Sequence, residues 1–286
     1  MVGAHVLSGI SKITEKAIAF SRSTTAPADS DIEWRQLPAE LQSSATDVEP
    51  IPYWICVAPI WVLPGYFAML ESCGVRRIVA LSSTSRFTKD TSTDIHEQAI
   101  ARQLADAEDS LQVWAEGRGV EWVVLRPTLI YDQGRDKNIS EIAGFIRRFG
   151  FFPLFGAAQG KRQPIHAEDV AAACLAALQS PEAANRTYNI SGGETLSYRD
   201  MISRIFAMLG ASPRLLTVPL WAFSMAVVLM RQVPRYRTWS SAMAERMNRD
   251  MVFDHSEATR DFGFIPRKFV LEPATVSIAK PPRRTS

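Results

Sequence analysis

The first half of the chain alternates short apolar segments with helical patterns, and this alternation restricts the fold more than any other feature. Five segments have the composition of short strands: 16–21, 32–37, 53–58, 77–82 and 120–125. Helical patterns separate the last three, over 66–73 and 95–117, and the first of these patterns stops at Gly74. Strands that alternate with helices pair in parallel through crossover connections, with helices on both faces of the sheet. The sequence therefore predicts an α/β fold with a doubly wound parallel sheet.

The composition excludes several classes of protein. The chain has 286 residues, of which 47% are hydrophobic and 22% charged, as in ordinary globular proteins. Its formal net charge of +2 gives no general attraction for nucleic acid, so we expect no nucleic-acid partner. The three cysteines, Cys56, Cys73 and Cys174, are too few and too scattered for a disulfide framework or a zinc site. They predict a reducing compartment, and we expect no metal site.

The pattern loosens after about residue 150, where helical segments alternate with short linking ones. These helices are predicted near 168–179, 197–209, 219–231 and 240–248. We therefore expect a first domain over 1–160 that is large enough to bind a dinucleotide. A smaller C-terminal α/β lobe for a substrate or partner follows over 161–279 and is intertwined with it, and a polar tail covers 280–286.

The most apolar stretch of the chain is centred on the predicted helix 219–231. Pro219 interrupts that stretch, and the rest is about half the roughly 20 residues that a membrane-spanning helix needs. Arg231, Arg235 and Arg237 follow it, so this helix is predicted to be buried, to face a protein partner, or to lie on a membrane surface. The N-terminus has neither the cationic start nor the long apolar core of a signal peptide, so a cytoplasmic location is expected.

Chemistry in a doubly wound sheet is expected at the carboxyl ends of its strands, where ligands bind. The residues at those ends are Ser21 and Arg22, Ala58 and Pro59, Ser82, Ser83 and Thr84, and Arg126 and Pro127. We therefore expect the functional site among these residues.

Five segments in order along the chain resemble the NAD-dependent epimerase/dehydratase family, which belongs to the extended and atypical short-chain dehydrogenases/reductases. They are 74–85, which ends in a serine-rich turn, 125–131, the segment 163–171 with its His-x-x-Asp-Val-Ala pattern, 188–193 and 263–266. Segments 134–138 and 147–156 are further similar to the branch of the 39-kDa accessory subunit of respiratory complex I. The resemblance implies a Rossmann-type sheet, a nicotinamide cofactor and a small-molecule substrate, which the sequence does not identify.

The phosphate-binding loop of that family is incomplete in this chain. The family places a strand and a glycine-rich turn before a helix whose N-terminal amides hold the pyrophosphate. Here Gly3 resembles the last glycine of that turn, and the strand and the earlier glycines have no counterpart. The strand without a counterpart is central in this topology, so we expect a gap between 16–21 and 53–58. Either the chain begins late, or the domain is degenerate and binds cofactor weakly.

The resemblance also suggests which residues would bind the cofactor. Arg22, after Ser21, suits the 2′-phosphate of NADP, and no acidic residue stands there to bind the ribose of NAD, so NADP is favoured while NAD remains possible. A loop arginine exposed to solvent is the alternative. Besides Arg22, the predicted cofactor-binding residues are Gly3, Ser21, Ala58, Pro59, Ser82, Arg126 and Pro127.

The family's proton-transfer pair is absent. None of the six tyrosines is followed four residues later by lysine, and the corresponding helix positions hold Ile100 and Leu104. Thr84 occupies the place of the family's catalytic Ser/Thr, with Ser83 beside it, and these two are the catalytic candidates. Lys89 is the nearest ammonium group in sequence, although a solvated lysine is the plainer interpretation.

His166 and Asp169 stand just before the apolar helix of the second lobe. Helix capping and anchoring explain them, and a substrate contact by His166 is the alternative. Two functions follow from the whole pattern: an NAD(P)-dependent oxidoreductase or epimerase with a non-standard active site, or a non-catalytic nucleotide-binding accessory or sensor subunit.

Overall fold

The computed structural model describes residues 1–14, 16–22, 32–37, 50–132, 134–221 and 241–272. Most of the predicted helix 219–231 and the predicted tail 280–286 lie outside these residues. The described strands are β1 (Ile18–Ser21), β2 (Glu33–Gln36), β3 (Tyr53–Cys56), β4 (Arg77–Leu81), β5 (Glu121–Pro127), β6 (Ile130–Tyr131), β7 (Phe152–Phe155), β8 (Lys161–Arg162), β9 (Ile165–His166), β10 (Arg186–Ile190), β11 (Leu196–Ser197) and β12 (Leu215–Val218). The described α-helices are α1 (Val2–Ile10), α2 (Phe67–Ser72), α3 (Ser85–Thr88), α4 (Ile95–Arg118), α5 (Asn138–Phe149), α6 (Ala167–Gln179), α7 (Tyr198–Met208), α8 (Ser241–Asn248) and α9 (Ser256–Phe262).

A four-stranded parallel sheet forms the centre of the molecule. Its strand order is β10-β5-β4-β3, and each neighbouring pair is parallel. Alternate residues of β4 and β5 point to opposite faces, so Val79 and Val123 belong to one apolar cluster and Ile78 and Val124 to another. Helices α1 and α6 cover the first face and α4 the second. This arrangement confirms the predicted doubly wound α/β fold.

Strands β1 and β2 form a separate parallel pair that shares no ladder with β3. The ring of Phe20 in β1 stacks on the ring of Trp54 in β3, with centroids 5.1 Å apart, and this stack connects the two sheets. The edge of β3 is therefore poorly covered, and Tyr53 is 57% exposed. The gap expected between segments 16–21 and 53–58 is confirmed.

The long helix α4 begins and ends where its capping residues predict. Asp94 accepts a hydrogen bond from the backbone N–H of His96, and Gly119 adopts a left-handed φ of 67° after the last turn. The buried side of the helix includes Leu104 and Leu111. Ala99, which its spacing assigns to that side, is instead exposed, because the apolar stripe passes through Ala101.

The second lobe has its own apolar core. Strand β12 pairs with β7, and α5 and α7 pack around Leu154 and Phe206. This core draws on residues on both sides of position 160, since Tyr131 and Ile139 belong to it as well. The boundary at residue 160 thus stays a prediction, and the two lobes share the segment that follows β5.

Candidate functional site

The first turn of α1 lies at the carboxyl end of β3. A Cβ atom on Gly3 would stand 3.4 Å from Cγ2 of Val57, so the helix start approaches that strand end closely. The N-cap residue of this helix, Met1, makes no side-chain capping hydrogen bond. Ala58 and Pro59, which follow β3, are exposed. The structure therefore brings three of the predicted cofactor-binding residues together around the first turn of α1 and the end of β3.

Ser82 and Arg126, from the ends of β4 and β5, meet on one carboxylate. Glu108 of α4 is 3% exposed and accepts hydrogen bonds from the Ser82 hydroxyl and from the Arg86 guanidinium. The Arg126 guanidinium donates to it as well, with Nε 3.0 Å and Nη2 2.5 Å from Oε2. Phe87 supports the cluster from one side, since the Arg126 guanidinium lies 5.1 Å from its ring centroid. Glu108 thus fastens two strand tips to the helix.

Thr84 and Ser83 are already engaged in the turn that leads into α3. The Thr84 hydroxyl is buried and donates to the carbonyl of Pro127 at 3.1 Å. The Thr84 backbone N–H reaches the same carbonyl at 3.1 Å, which extends the β4–β5 pairing past the strand ends. The Ser83 hydroxyl accepts from the backbone N–H of Ser85. Their catalytic role stays a prediction, and the geometry gives both hydroxyls a structural one.

Ser21 and Arg22 stand at the end of β1, in the separate strand pair. Ser21 is half-buried and Arg22 is exposed. The structure therefore does not join these two residues to the Glu108 cluster. Their part in cofactor binding stays a prediction.

The two helix positions that correspond to the family's tyrosine and lysine are apolar in structure as in sequence. Leu104 is 3% exposed in the core under α4, and Ile100 packs against the same core. Lys89 lies nearby in sequence, at the end of α3. Burial lowers its pKa below the ordinary lysine value, the positive charge of Arg246 lowers the pKa further, and Asp94 opposes the shift.

His166 and Asp169 have the capping and anchoring contacts that the sequence predicts. Nδ1 of His166 accepts from the backbone N–H of Glu168 at 3.2 Å, at the start of α6. Asp169 accepts from the backbone N–H and from Nε of Arg267, which ties down the C-terminal segment. The side chain of His5 in α1 contacts Asp132 at 3.3 Å, so the same corner also anchors α1. Burial, and then the charge of Arg267, lower the pKa of His166.

A polar cavity of about 470 Å³ lies beside the strand tips, between α4 and β10. Its lining residues include Glu108, Arg86, Arg126 and Arg186. Trp122 also lines it, and the buried indole N–H of Trp122 has no hydrogen-bond partner among the described residues. Of the residues predicted at the strand ends, Arg126 lines this cavity, whereas Ala58, Ser82 and Pro127 do not.

Sequence reasoning missed the role of Arg86 and the buried ion cluster around Glu108. One signal was present: Glu108 interrupts the apolar stripe of α4 between Leu104 and Leu111. A charge on the buried side of a helix requires a partner, and here the partners come from two other elements. Within the described part of the chain, no group of three or more His, Cys, Asp and Glu side chains is arranged to hold a metal ion.

Comparisons with known proteins agree with this architecture. The UDP-glucose 4-epimerase of Vibrio cholerae is 22% identical over 208 residues, which cover 70% of this chain and 61% of that protein. The mitochondrial NADH dehydrogenase (ubiquinone) 1 alpha subcomplex subunit 9 of Arabidopsis thaliana is 28% identical over 100 residues, or 35% of this chain and 25% of that protein. The chain therefore spans less than two thirds of the length of each of these relatives.

Solved structures show the same fold over nearly the whole chain. The UDP-N-acetylglucosamine 4-epimerase of Bacillus cereus has a TM-score of 0.67 at 16% identity and covers 95% of this chain and 89% of its own. The dTDP-glucose 4,6-dehydratase of Bacillus anthracis, solved in complex with NAD, has a TM-score of 0.64 at 15% identity, with coverages of 96% and 90%. A model of the NAD dependent epimerase/dehydratase family matches residues 67–191. Residues 67–191 thus match the NAD dependent epimerase/dehydratase family, within a fold that the solved epimerases and dehydratases share.

Proposed function

We propose that this protein binds a pyridine dinucleotide across the carboxyl ends of β3, β4 and β5. The observation that carries the proposal is the close approach of the first turn of α1 to the end of β3 at Gly3 and Val57. Free amides at a helix N-terminus bind a pyrophosphate group, and the small exposed Ala58 and Pro59 leave room for it. When bound, the dinucleotide supplies hydride chemistry, and the protein supplies position and charge.

We propose NADP as the preferred form of the cofactor. Arg22 is exposed at the end of β1 and can donate two hydrogen bonds to a 2′-phosphate. The relative solved with NAD supports a nicotinamide cofactor in general. The 2′-phosphate preference rests on Arg22 alone.

An enzymatic role would require a proton donor other than a tyrosine on α4. Ile100 and Leu104 cannot transfer a proton, and the buried Thr84 hydroxyl is bound to a carbonyl oxygen. The half-buried Ser83 hydroxyl is the remaining strand-end candidate, because it accepts one hydrogen bond and keeps its own proton to donate. The first candidate function is therefore an oxidoreductase or epimerase that acts on a small molecule through a non-standard site.

The second candidate is a non-catalytic, nucleotide-binding accessory or sensor subunit. The burial of Leu104 at a position that proton transfer would need favours it. The similarity to a subunit of NADH dehydrogenase over 100 residues favours it too. In this case the nucleotide would stabilise the fold or report redox state without turnover.

One experiment tests the proposal and separates the two candidates. NADPH and NADH are titrated into the full chain, and cofactor oxidation is then followed with carbonyl compounds and nucleotide sugars. Binding with turnover that is lost in Ser83→Ala supports the enzyme. Binding without turnover on any of these compounds supports the accessory subunit. Failure of both dinucleotides to bind contradicts the proposal.

We also propose a cytoplasmic location. All three cysteines are free, and burial raises the pKa of Cys174 to about 12 and that of Cys56 to about 11. Thiols with such pKa values stay protonated and unreactive at neutral pH. They fit a reducing compartment.

A further inference from the structure

The outer side of the second lobe carries exposed aromatic and aliphatic side chains where β7 and β12 pair. Leu216 of β12 is 55% exposed and pairs with Pro153 of β7, so both side chains point away from the core. Phe149 and Phe151 flank the partly buried Phe145, with ring centroids 4.6 and 5.9 Å from it, and Phe149 is 51% exposed. An exposed apolar surface of this kind marks a contact site.

Three arginines flank this apolar surface. Arg147 and Arg148 close the last turn of α5, and Arg214 directly precedes β12. All three are exposed, and the Arg148 guanidinium lies 5.3 Å from the ring centroid of Phe149. The backbone carbonyl of Arg214 accepts from the N–H of Phe152, which places Arg214 beside the aromatic group.

The charge distribution along the chain is segregated at this surface. The stretches 142–167 and 201–221 contain no aspartate or glutamate, although the whole chain has 30. These stretches are joined through the β7–β12 pair. No carboxylate of the described residues forms an ion pair with Arg147, Arg148 or Arg214. The surface is therefore apolar and flanked by arginines that have no ion-pair partner among the described residues.

We propose that this surface docks on an anionic phospholipid bilayer. We call it the docking surface and define it as Arg147, Arg148, Phe149, Phe151, Arg214 and Leu216. Aromatic rings and leucine insert at the boundary of headgroups and acyl chains, while arginines pair with lipid phosphates. Trp221, three residues beyond β12, is 70% exposed and is a further aromatic side chain suited to the headgroup region. No described helix is long and apolar enough to cross a membrane.

Vesicle sedimentation tests the proposal on the full chain. We expect the protein to sediment with phosphatidylcholine vesicles that contain about a third phosphatidylserine, and to stay in solution with phosphatidylcholine alone. Each arginine of the docking surface that is replaced by glutamine lowers the partition coefficient about fivefold, and the triple replacement lowers it about a hundredfold. Leu216→Ser lowers it about tenfold.

Matched controls lie on α4, away from the docking surface. Arg102→Gln removes an exposed arginine and Val113→Ser an exposed valine, which is 73% exposed, and both leave vesicle binding unchanged. Circular dichroism checks that each variant is folded. The proposal is overturned if the protein binds phosphatidylcholine vesicles as well as it binds vesicles that contain phosphatidylserine. It is also overturned if the α4 controls lose as much vesicle binding as the variants of the docking surface. Self-association that Leu216→Ser abolishes in a protein that binds no vesicles overturns it as well, because the occupant is then a second copy of the chain.

Discussion

The four-stranded sheet β10-β5-β4-β3 and the parallel pair β1-β2 differ in how many neighbours their strands have. In the four-stranded sheet, β4 lies between two strands and two helical layers, and all five of its residues are buried. In the two-stranded pair, β1 has one buried residue, Ala19, and β2 has none. The pair touches the sheet through the stacked rings of Phe20 and Trp54.

This difference shows that short apolar segments reach different burial when the number of neighbouring strands differs. Strand β4 pairs on both sides, whereas β1 and β3 each pair with one strand among the described residues. The residues expected to select the cofactor, Ser21 and Arg22, stand on the loosely attached pair. The residues expected near the nicotinamide, Ser82 and Pro127, stand on the firmly packed sheet.

The largest expected effect tests how firmly the packed sheet is fastened at its tips. Glu108→Ala leaves the guanidinium groups of Arg86 and Arg126 without their carboxylate, which destabilises the fold by about 3–5 kcal/mol. Urea unfolding measures the change. Asp109→Ala is the control, since its side chain is 70% exposed, and it changes stability by about 0.5 kcal/mol or less. An equal loss of unfolding free energy in the two variants would refute the role of Glu108 in holding the strand ends against α4.

The next effect compares the two sheets directly. Leu111 is fully buried under the four-stranded sheet, so Leu111→Ala costs about 3 kcal/mol of unfolding free energy. Phe20 is half-buried on the two-stranded pair, and Phe20→Ala costs about 1 kcal/mol because the ring loses one stacking partner and little burial. If denaturation gives the same loss for both, the pair is as firmly held as the sheet.

Cofactor selection tests whether the loosely attached pair takes part in binding. Arg22→Asp removes a phosphate ligand and adds a negative charge, so NADPH affinity falls about tenfold and NADH affinity does not fall. Fluorescence titration of both dinucleotides measures the ratio. Arg118→Asp, on the far end of α4, is a charge-matched control that leaves the ratio unchanged. An unaltered ratio in Arg22→Asp would place the 2′-phosphate elsewhere.

The smallest effect concerns the pH dependence of the free energy of unfolding and involves His166, at the start of α6. Because burial and Arg267 lower the pKa of His166, the folded state binds fewer protons there than the unfolded chain. This residue therefore reduces stability as the pH falls below about 6.5. His166→Asn keeps a side chain able to cap α6 and lacks the titrating group. Urea unfolding is measured at pH 7.5 and at pH 5.5, about one unit either side of that value. Between these two pH values, the free energy of unfolding should fall by less in the variant than in the parent chain. A loss as large as in the parent chain rules out His166 as the source.

The fold was largely predictable because its signals are local. Helix α4 has its cap at Asp94 and its terminating glycine at Gly119, so its bounds follow from adjacent residues. Ala99 was misplaced because a residue of high helix propensity and small size carries no burial signal of its own.

The site was less predictable because its contacts join distant segments. Ser82 and Arg126 were expected to face a cofactor, but nothing in their neighbourhood shows that Glu108 accepts from both, 26 and 18 residues away in sequence. The same holds for Thr84, whose partner carbonyl belongs to Pro127. Pairing across strands is a tertiary event that periodicity does not encode.

We propose that the start of α1 and the carboxyl ends of β3, β4 and β5 hold a pyridine dinucleotide. Calorimetric titration of NADPH into the full chain and into Gly3→Asp tests it most directly, because a carboxylate in the first turn suits the helix and repels the pyrophosphate. Ser8→Asp, exposed at the other end of α1, is the control. We expect one-to-one binding that weakens about tenfold in Gly3→Asp and is retained in Ser8→Asp. No binding of NADPH or NADH, or equal affinity in Gly3→Asp and the parent chain, would contradict it.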